Sequence, residues 1–253
     1  EISLGLVGSE MCIRDRVYDG QHPDEVTSYN NIGGVYYSQG DYTQALSYYE
    51  KALKILLQVY GEQHPDVATI YNNIGGIYDY QGNYAQAITY YEKSLKTLIQ
   101  IYGEQHPSVA TSYNNIGSVY YNQKDYAQAL AYCEKALPIQ LQVYGEQHPA
   151  VATSYCNMGS ICDSQGNYSQ ALSYYEKSLK IQLQVYGEYH PDVATNYIGK
   201  GAVYIKQGDY TQALECFEKS YQIYRKVFGE TNPHTVSAQD AVKLLKSKMN
   251  GVE

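Results

Sequence analysis

The sequence lacks an excess of basic residues, a long apolar stretch and a catalytic motif, and each absence excludes a class of function. Lys and Arg number 18 against 26 Asp and Glu, which gives a net charge of −8. Nucleic-acid binding, which needs clustered cations against phosphate, is therefore not expected. No apolar run approaches the roughly 20 residues that a membrane span requires. We expect a cytoplasmic protein whose partners include neither nucleic acid nor a membrane into which it inserts.

Motifs for catalysis and for metal binding are missing as well. There is no Gly-rich phosphate loop, no His-Glu-x-x-His and no nucleophile elbow, so we predict no catalytic residue, no cofactor and no enzymatic activity. The five cysteines do not form the closely spaced pairs of a zinc site, because Cys156 and Cys162, six residues apart on a helix, do not face one point. Cys133 and Cys162 are expected to be small buried hydrophobic residues, and no metal site is predicted.

The feature that dominates the sequence is a His-Pro pair that returns every 42 residues, with Asn232-Pro233 as a sixth, altered copy. The five pairs are His22-Pro23, His64-Pro65, His106-Pro107, His148-Pro149 and His190-Pro191. A Gly and an Ala recur in register with the pairs, at Gly33, Gly75, Gly117, Gly159 and Gly201 and at Ala45, Ala87, Ala129, Ala171 and Ala213. A fixed period of this size indicates a stacked repeat array, and the small residues predict one packing contact made in every repeat.

Each repeat predicts two antiparallel helices, A and B. Pro suits the first position of a helix, so helix A begins at each Pro and continues until Gln-Gly-Asn or Gln-Gly-Asp interrupts the apolar spacing. Gly then ends helix A, and Asn or Asp caps helix B. Helix B of the second repeat is predicted from about Tyr84 to Tyr102, with Gly103 closing it. Two helices cannot bury their apolar faces alone, so the hairpins must stack into an all-α solenoid.

The positions within one repeat resemble the tetratricopeptide pattern, with Tyr where Trp and Phe are usual. With Gly33 counted as position 8, the matching residues of the first repeat are Tyr29, Ile32, Gly33, Tyr36, Ala45, Tyr49 and Ala52. The period exceeds the usual one of about 34 residues because helix B is longer and ends in Tyr-Gly-Glu-Gln-His-Pro. Together with Tyr-Asn-Asn-Ile-Gly in helix A, this form resembles the kinesin light chain type of repeat. The resemblance implies a right-handed superhelix of five hairpins followed by a capping helix.

The expected organisation is an array over residues 17–253. The five repeats lie at about 22–63, 64–105, 106–147, 148–189 and 190–231, and the capping helix lies at 232–249. Residues 1–16 resemble a translated sequencing adapter, so we interpret them as an artefact joined to a fragment of a longer protein. Gln239 and Lys243 replace the Tyr and Gly of helix A in the sixth copy, which favours a polar terminal cap. Pro138, inside a predicted helix B, predicts a kink.

The resemblance also implies a concave groove lined by positions 2, 5, 6, 9, 12 and 13 of helix A. The candidate groove residues are Asn30, Asn31, Tyr37, Asn72, Asn73, Tyr80, Asn114, Asn115, Tyr121 and Asn157. Carboxamides can pair with the backbone of an extended peptide whatever its side chains, and Tyr provides rigid area that anchors interfaces. Gly34 and Gly76 would keep the wall of the groove low. In the alternative interpretation, Asn only bridges neighbouring repeats and Gly only permits close helix packing.

The histidines of the repeated pairs would form a row along one edge of the array. Neighbouring helices pack about 8 to 10 Å apart, which is too far for two such rings to share a metal ion. We therefore interpret the histidines as helix-entry residues near N-caps.

These observations predict a non-enzymatic scaffold or adaptor that binds a protein or peptide partner in the groove. Lys200 and Lys206 are the cations near the groove positions, while Asp79 and Asp163 add negative charge. A neutral or mildly basic peptide is therefore favoured over an acidic one. Two alternatives stay open. The array can be the regulatory or substrate-docking part of a larger enzyme or signalling protein, or it can self-associate through its convex or end surfaces.

Overall fold

A computed structural model describes residues 23–251, and these form α-helices joined by short turns. The helices are α1 (Pro23–Ser38), α2 (Tyr42–Tyr60), α3 (Pro65–Tyr80), α4 (Tyr84–Tyr102), α5 (Pro107–Asn122), α6 (Tyr126–Tyr144), α7 (Pro149–Ser164), α8 (Tyr168–Tyr186), α9 (Pro191–Gln207), α10 (Tyr210–Phe228) and α11 (Pro233–Met249). The predictions for the adapter-like segment and for His22 lie outside the described residues. None of these helices is both long and apolar enough to cross a bilayer.

The helix boundaries lie at the Pro and Gly residues that the sequence predicts as start and stop signals. Every odd-numbered helix begins at the Pro of a repeated pair, and α4 has the predicted bounds Tyr84–Tyr102. Gly82 and Gly103 follow α3 and α4 with φ of 73° and 81°, a left-handed backbone that favours Gly. These two helices therefore end where the chain can leave helical geometry at little conformational cost, whereas after α5 the left-handed position is held by Lys124, with φ of 64°.

The caps of the B helices follow the expectation only where the residue is Asp. Asp41 Oδ1 accepts a hydrogen bond from the Gln44 N–H at 3.1 Å, and Asp125 and Asp209 cap α6 and α10 in the same way. Asn83 and Asn167 occupy the equivalent position without a side-chain cap bond. The prediction that Asn also caps helix B is therefore wrong for these two residues.

The described chain divides into two compact units, one ending at Val119 and one beginning at Tyr120 within α5. In the first unit, α1 packs against α2 and α3 against α4 as hairpins, and α2 joins them by packing on α3. In the second unit, α7 with α8 and α9 with α10 form the hairpins, while α6 packs on α7, α8 on α9 and α10 on α11. Each unit thus buries its apolar faces by stacking hairpin on hairpin.

The repeated Gly of helix A makes a close contact with an aromatic ring of helix B. A Cβ placed on Gly75 would lie 2.9 Å from Tyr91 Cδ1, and one placed on Gly201 would lie 2.7 Å from Phe217 Cε2. Gly33 faces Tyr49 and Gly159 faces Tyr175 at similar distances. The repeated Ala residues are fully buried. The predicted contact at the small residues therefore exists in these four hairpins, and the ring is the partner of the Gly.

The seam between neighbouring hairpins is filled differently in the two units. In the first unit, Val26, Ala52, Leu56 and Ile70 form a wholly apolar cluster. In the second unit, the residues at the corresponding positions are Ala152, Ser178, Gln182 and Asn196. Asn196 Nδ2 donates hydrogen bonds to Ser178 Oγ at 2.6 Å and to Gln182 Oε1 at 2.8 Å, and Ser178 Oγ donates to the Ala152 carbonyl at 2.7 Å. A buried polar network thus replaces apolar packing at this seam.

The two irregular elements named above are both helical. α6 runs without interruption from Tyr126 to Tyr144 through Pro138, with the same 19 residues as its counterparts, and the kink there stays a prediction. α11 begins with Asn232 Oδ1 accepting from the His234 N–H at 2.9 Å. Gln239 Nε2 donates to the Tyr221 hydroxyl at 3.3 Å, so a residue that departs from the repeat pattern bonds the capping helix to α10.

The four described cysteines are free thiols, and Cys133 and Cys162 are buried as expected. Burial raises the pKa of Cys133, Cys156 and Cys162 to about 11 each. Since the thiolate is the reactive form, all three should be inert at neutral pH.

We therefore expect Cys133, Cys156 and Cys162 to react with iodoacetamide at least ~100-fold more slowly in the folded protein than in the unfolded chain, because both the thiolate and access are suppressed. Peptide mapping after timed alkylation at neutral pH measures this, with the same sample in concentrated urea as the reference. Equal labelling in both states would contradict the burial described for these residues.

Candidate functional site

Polar bonds join neighbouring A helices in a register one residue longer than the repeat. Asn73 Nδ2 donates a hydrogen bond to Asn30 Oδ1 at 3.0 Å, across 43 residues. Asn115 Nδ2 donates to Asn72 Oδ1 at 2.7 Å, again across 43 residues. In each case, position 6 of one repeat donates to position 5 of the repeat before it. Four of the six candidate Asn residues of the first unit are thus brought together in pairs, and Asn31 lies exposed on α1.

Three tyrosines gather where α1 and α3 end and α2 begins. The rings of Tyr37 and Tyr80 meet edge to face with centroids 5.3 Å apart, and Tyr42 lies within 6.2 Å of both. Burial, followed by the hydrogen bond and charge of the Tyr80 phenol, raises the pKa of Tyr37. Tyr80 remains 68% exposed. Two of the predicted groove tyrosines therefore form one aromatic cluster with a solvent-facing ring.

In the second unit, the 43-residue register joins different side chains. The Tyr121 hydroxyl lies 3.2 Å from Ser164 Oγ, and Lys206 Nζ lies 2.8 Å from Asp163 Oδ2. Asn157 is exposed on α7. The Tyr121 ring also packs against Tyr126, with centroids 5.5 Å apart. The contact of Tyr37 with Tyr80, at positions 12 and 13 in the first unit, is thus succeeded by a pair of hydroxyls and an ion pair.

Asn114 differs from the other candidate Asn residues. Its Oδ1 is buried and has no hydrogen-bond partner among residues 23–251. A buried carbonyl oxygen without a donor carries a desolvation cost.

Both lysines near the groove positions are paired with acidic residues. Lys206 bonds both carboxylate oxygens of Asp163 at 2.8 and 2.9 Å. Lys200 Nζ lies 3.1 Å from Glu176 Oε1, and its side chain is only 13% exposed. The A-helix face of the second unit therefore offers little unpaired positive charge to an acidic ligand.

Position 9 of helix A lies over the phenol of helix B. A Cβ on Gly76 would meet only the Tyr91 hydroxyl at 3.5 Å, and one on Gly34 only the Tyr49 hydroxyl at 3.8 Å. In the fourth repeat the residue is Ser160, whose Oγ lies 3.0 Å from the Tyr175 hydroxyl. Burial raises the pKa of Tyr175 to about 12. The phenol at this position therefore remains a neutral hydrogen-bonding group.

The repeated histidines cap the A helices, as the sequence predicts. His64 Nδ1 accepts from the Asp66 N–H at 3.2 Å, and His106, His148 and His190 make the same bond two residues downstream. Each ring also stacks on the Tyr that ends the preceding B helix, at 4.0 Å for His190 and Tyr186. Within residues 23–251, no three His, Cys, Asp or Glu side chains come together in a way that could hold a metal ion.

A recess of about 200 Å³ opens between α3, α4 and α5 and was not anticipated from the sequence. Thr69 and Asn72 of α3 and Thr111 of α5 line it, all at predicted groove positions. Residues of the seam between the two hairpins also line it, among them Leu98 and Ser112. The signal that could have revealed it is the small Ser112 at the position where the preceding repeat has Ile70.

Comparison with known families and structures gives a consistent result. The tetratricopeptide repeat family profile matches the chain in overlapping segments at 13–58, 24–100, 66–132, 108–184, 165–226 and 192–250. No curated protein sequence matches significantly.

Several solved structures share this fold. BtubC (BKLC) from P. vanneervenii is 28% identical, with a TM-score of 0.73 over 83% of this chain and 84% of that one. A structure of kinesin light chain-type, nearly identical TPR-like repeats from Podosopora anserina gives 19% identity and a TM-score of 0.70, over 82% of this chain and 98% of that one. Apo RapI gives 20% identity and a TM-score of 0.71, over 90% of this chain and 64% of that one. These similarities confirm the α-solenoid of the tetratricopeptide type, a fold that this chain shares with the kinesin light chain-type repeats from Podosopora anserina.

Proposed function

The chain belongs to the tetratricopeptide repeat family, and on that premise we propose that it is a non-enzymatic scaffold or adaptor that binds an extended peptide on its A helices. The observation that carries the proposal is the pairing of Asn side chains between neighbouring A helices of the first unit. In the first unit, the proposed site comprises these pairs, the exposed Asn31, and Tyr37 and Tyr80. In the second unit, Asn157 and Tyr121 are proposed as peptide-contacting residues of their own A helices.

The Asn pairs hold the amides in place while leaving them able to bind. A carboxamide has two N–H donors and an oxygen with two lone pairs, and each bond described above uses one donor and one lone pair. Asn72, which accepts from Asn115, keeps its own amino group for a peptide carbonyl. Asn73, which donates to Asn30, keeps its oxygen for a peptide N–H. Fixed amides lose little side-chain entropy on binding, which favours affinity.

The charge around the site favours a neutral or mildly basic peptide. The whole chain carries a net charge of −8, and the two lysines near the groove positions are engaged by Asp163 and Glu176. An acidic peptide would meet repulsion at long range and find few free cations at close range. The free thiols fit a reducing compartment, so we place the protein in the cytoplasm.

The test starts from peptides selected from a random twelve-residue library on the immobilised protein. Isothermal titration then compares the wild type with Asn73→Ala and Asn115→Ala. We expect each substitution to weaken binding about tenfold, because it removes a hydrogen bond to the peptide and releases the neighbouring amide. Selected peptides should be neutral or carry Lys or Arg.

Thr89→Ala is the matched control, because Thr89 is an exposed polar residue of α4 whose hydroxyl donates to the Ala85 carbonyl of its own helix at 2.9 Å. Thermal unfolding of each variant separates a loss of binding from a loss of fold. The proposal fails if the library yields no binder, or if folded Asn variants bind the selected peptides as tightly as the control.

A further inference from the structure

We infer that the recess between α3, α4 and α5 is an anchor pocket for one branched aliphatic side chain of the bound peptide. The inference rests on the proposed function for the peptide that carries the side chain. The pocket lies wholly within the first unit. Its existence and chemistry follow from comparing the seam between α1, α2 and α3 with the equivalent seam between α3, α4 and α5.

The pocket exists because two seam residues are smaller than their counterparts one repeat earlier. At the seam of α1, α2 and α3, the space is filled by Val26 and Ile70, and Ile70 is only 2% exposed. At the next seam, the residues in the same positions are Ala68 and Ser112. These two replacements remove several carbon atoms opposite Leu98. The recess of about 200 Å³ lies there.

The hydroxyl protons of four residues that line the pocket are already donated to backbone carbonyls. Ser94 Oγ donates its proton to the Ala68 carbonyl at 2.7 Å, and Ser112 Oγ donates to the Ser108 carbonyl at 3.2 Å. Thr69 and Thr111 likewise donate to carbonyls of their own helices, at 3.2 and 3.3 Å. A hydroxyl has one proton to donate, so these four groups offer a ligand no donor. A carboxylate, which can only accept hydrogen bonds, would therefore find few donors there to replace its hydration.

The shape of the missing group identifies the occupant. Ile70 fills the equivalent space in the preceding seam, so the pocket suits an isoleucine, valine or leucine side chain supplied from outside. Asn72 lies at the pocket and keeps its amino group, which can hold the backbone carbonyl next to the inserted side chain. The pocket thus fixes both the register and one side chain of the peptide.

The first test uses a minimal probe, N-acetyl-isoleucine N-methylamide, titrated at millimolar concentration against the isotope-labelled protein. We expect saturable shifts of the backbone amide signals of Thr69, Asn72, Thr111 and Ser112. N-acetyl-aspartate N-methylamide should leave them unchanged. Shifts that are absent, or that are equal for the two probes, would overturn the inference.

The second test fills the pocket from within. Ser112→Ile restores the residue of the preceding seam and should abolish the shifts caused by the isoleucine probe, as Ala68→Val should to a smaller degree. Thr89→Ile, which adds the same side chain on the exposed surface of α4, should leave the shifts intact. If Ser112→Ile does not fold, Ala68→Val decides the question, since it adds only two carbons.

The library peptides separate this inference from the proposed function. Selected peptides should share one aliphatic position, and they should bind Ser112→Ile at least tenfold more weakly than Thr89→Ile. If the Asn variants weaken binding but the filled pocket does not, the groove stands and the anchor pocket is wrong. If the isoleucine probe binds but no peptide does, the pocket stands as a small-ligand site without the peptide role, and the inference as stated fails.

Discussion

Gly75→Ala is expected to lower the free energy of unfolding by about 2 kcal/mol, although Ala is the better helix former. The added methyl group would lie 2.9 Å from Cδ1 and 3.0 Å from Cε1 of Tyr91, which is closer than real Cβ contacts allow. The Tyr91 ring is only 6% exposed and forms part of the core, so it cannot turn away freely. Overpacking of this kind outweighs the helix propensity gained. Urea unfolding followed by circular dichroism measures the effect.

The neighbouring Gly76 provides a matched control in the same helix. A Cβ there would meet only the Tyr91 hydroxyl, at an ordinary contact distance of 3.5 Å. Gly76→Ala should therefore gain the helix propensity without the clash and stabilise the protein by up to about 1 kcal/mol. If the two substitutions have the same effect on stability, the packing of Gly75 against the ring does not restrict this position.

Asn196→Ile in the second unit should destabilise the fold by about 2 kcal/mol, because it leaves the buried Gln182 Oε1 without its donor. Gln182→Leu alone should cost about 1.5 kcal/mol, because an N–H of Asn196 then loses its acceptor. The double substitution recreates the Leu56 and Ile70 packing of the first unit, so it should cost no more than about 0.5 kcal/mol. The expected coupling between the two sites is about 3 kcal/mol.

A double-mutant cycle by urea unfolding tests this coupling. Ser178 is retained in all variants, and its bond to the Ala152 carbonyl stays in place. Asn196 Oδ1 is already buried without a partner among the described residues, so removing both polar side chains also removes an existing penalty. If the effects of the two single substitutions on the free energy of unfolding are additive, apolar side chains cannot replace the polar network at this seam.

The helix boundaries could be predicted from the sequence because the signals for them are local. Pro at the first position and Gly after the last position act on their own turn, and α4 therefore has its predicted bounds. The caps could be predicted only in part. Asn83 and Asp41 stand at equivalent positions, yet only Asp41 makes the cap bond. A carboxylate accepts more strongly than an amide, and this difference is not visible in a consensus position.

The pairing within the candidate site could not be predicted from periodicity. Aligned repeats suggest rows of identical positions 42 residues apart, whereas the observed bonds join Asn30 to Asn73 and Asn72 to Asn115, 43 residues apart. The additional residue arises from how neighbouring helices dock, which depends on three-dimensional packing. The recess beside Ser112 could not be predicted for a related reason. It exists because Ala68 and Ser112, which belong to different repeats, are both small.

The same register affects which repeats of such a gene can be duplicated. The second repeat contains both halves of the amide bond, Asn72 as acceptor and Asn73 as donor. A tandem copy of it would reproduce the bond at its new boundary. Asp163 and Lys206 lie in different repeats, so a copy of the fourth repeat alone would place Ser164, and no cation, opposite Asp163. Lengthening by internal duplication is therefore expected at the Asn-bearing repeats, while the order of the fourth and fifth is preserved.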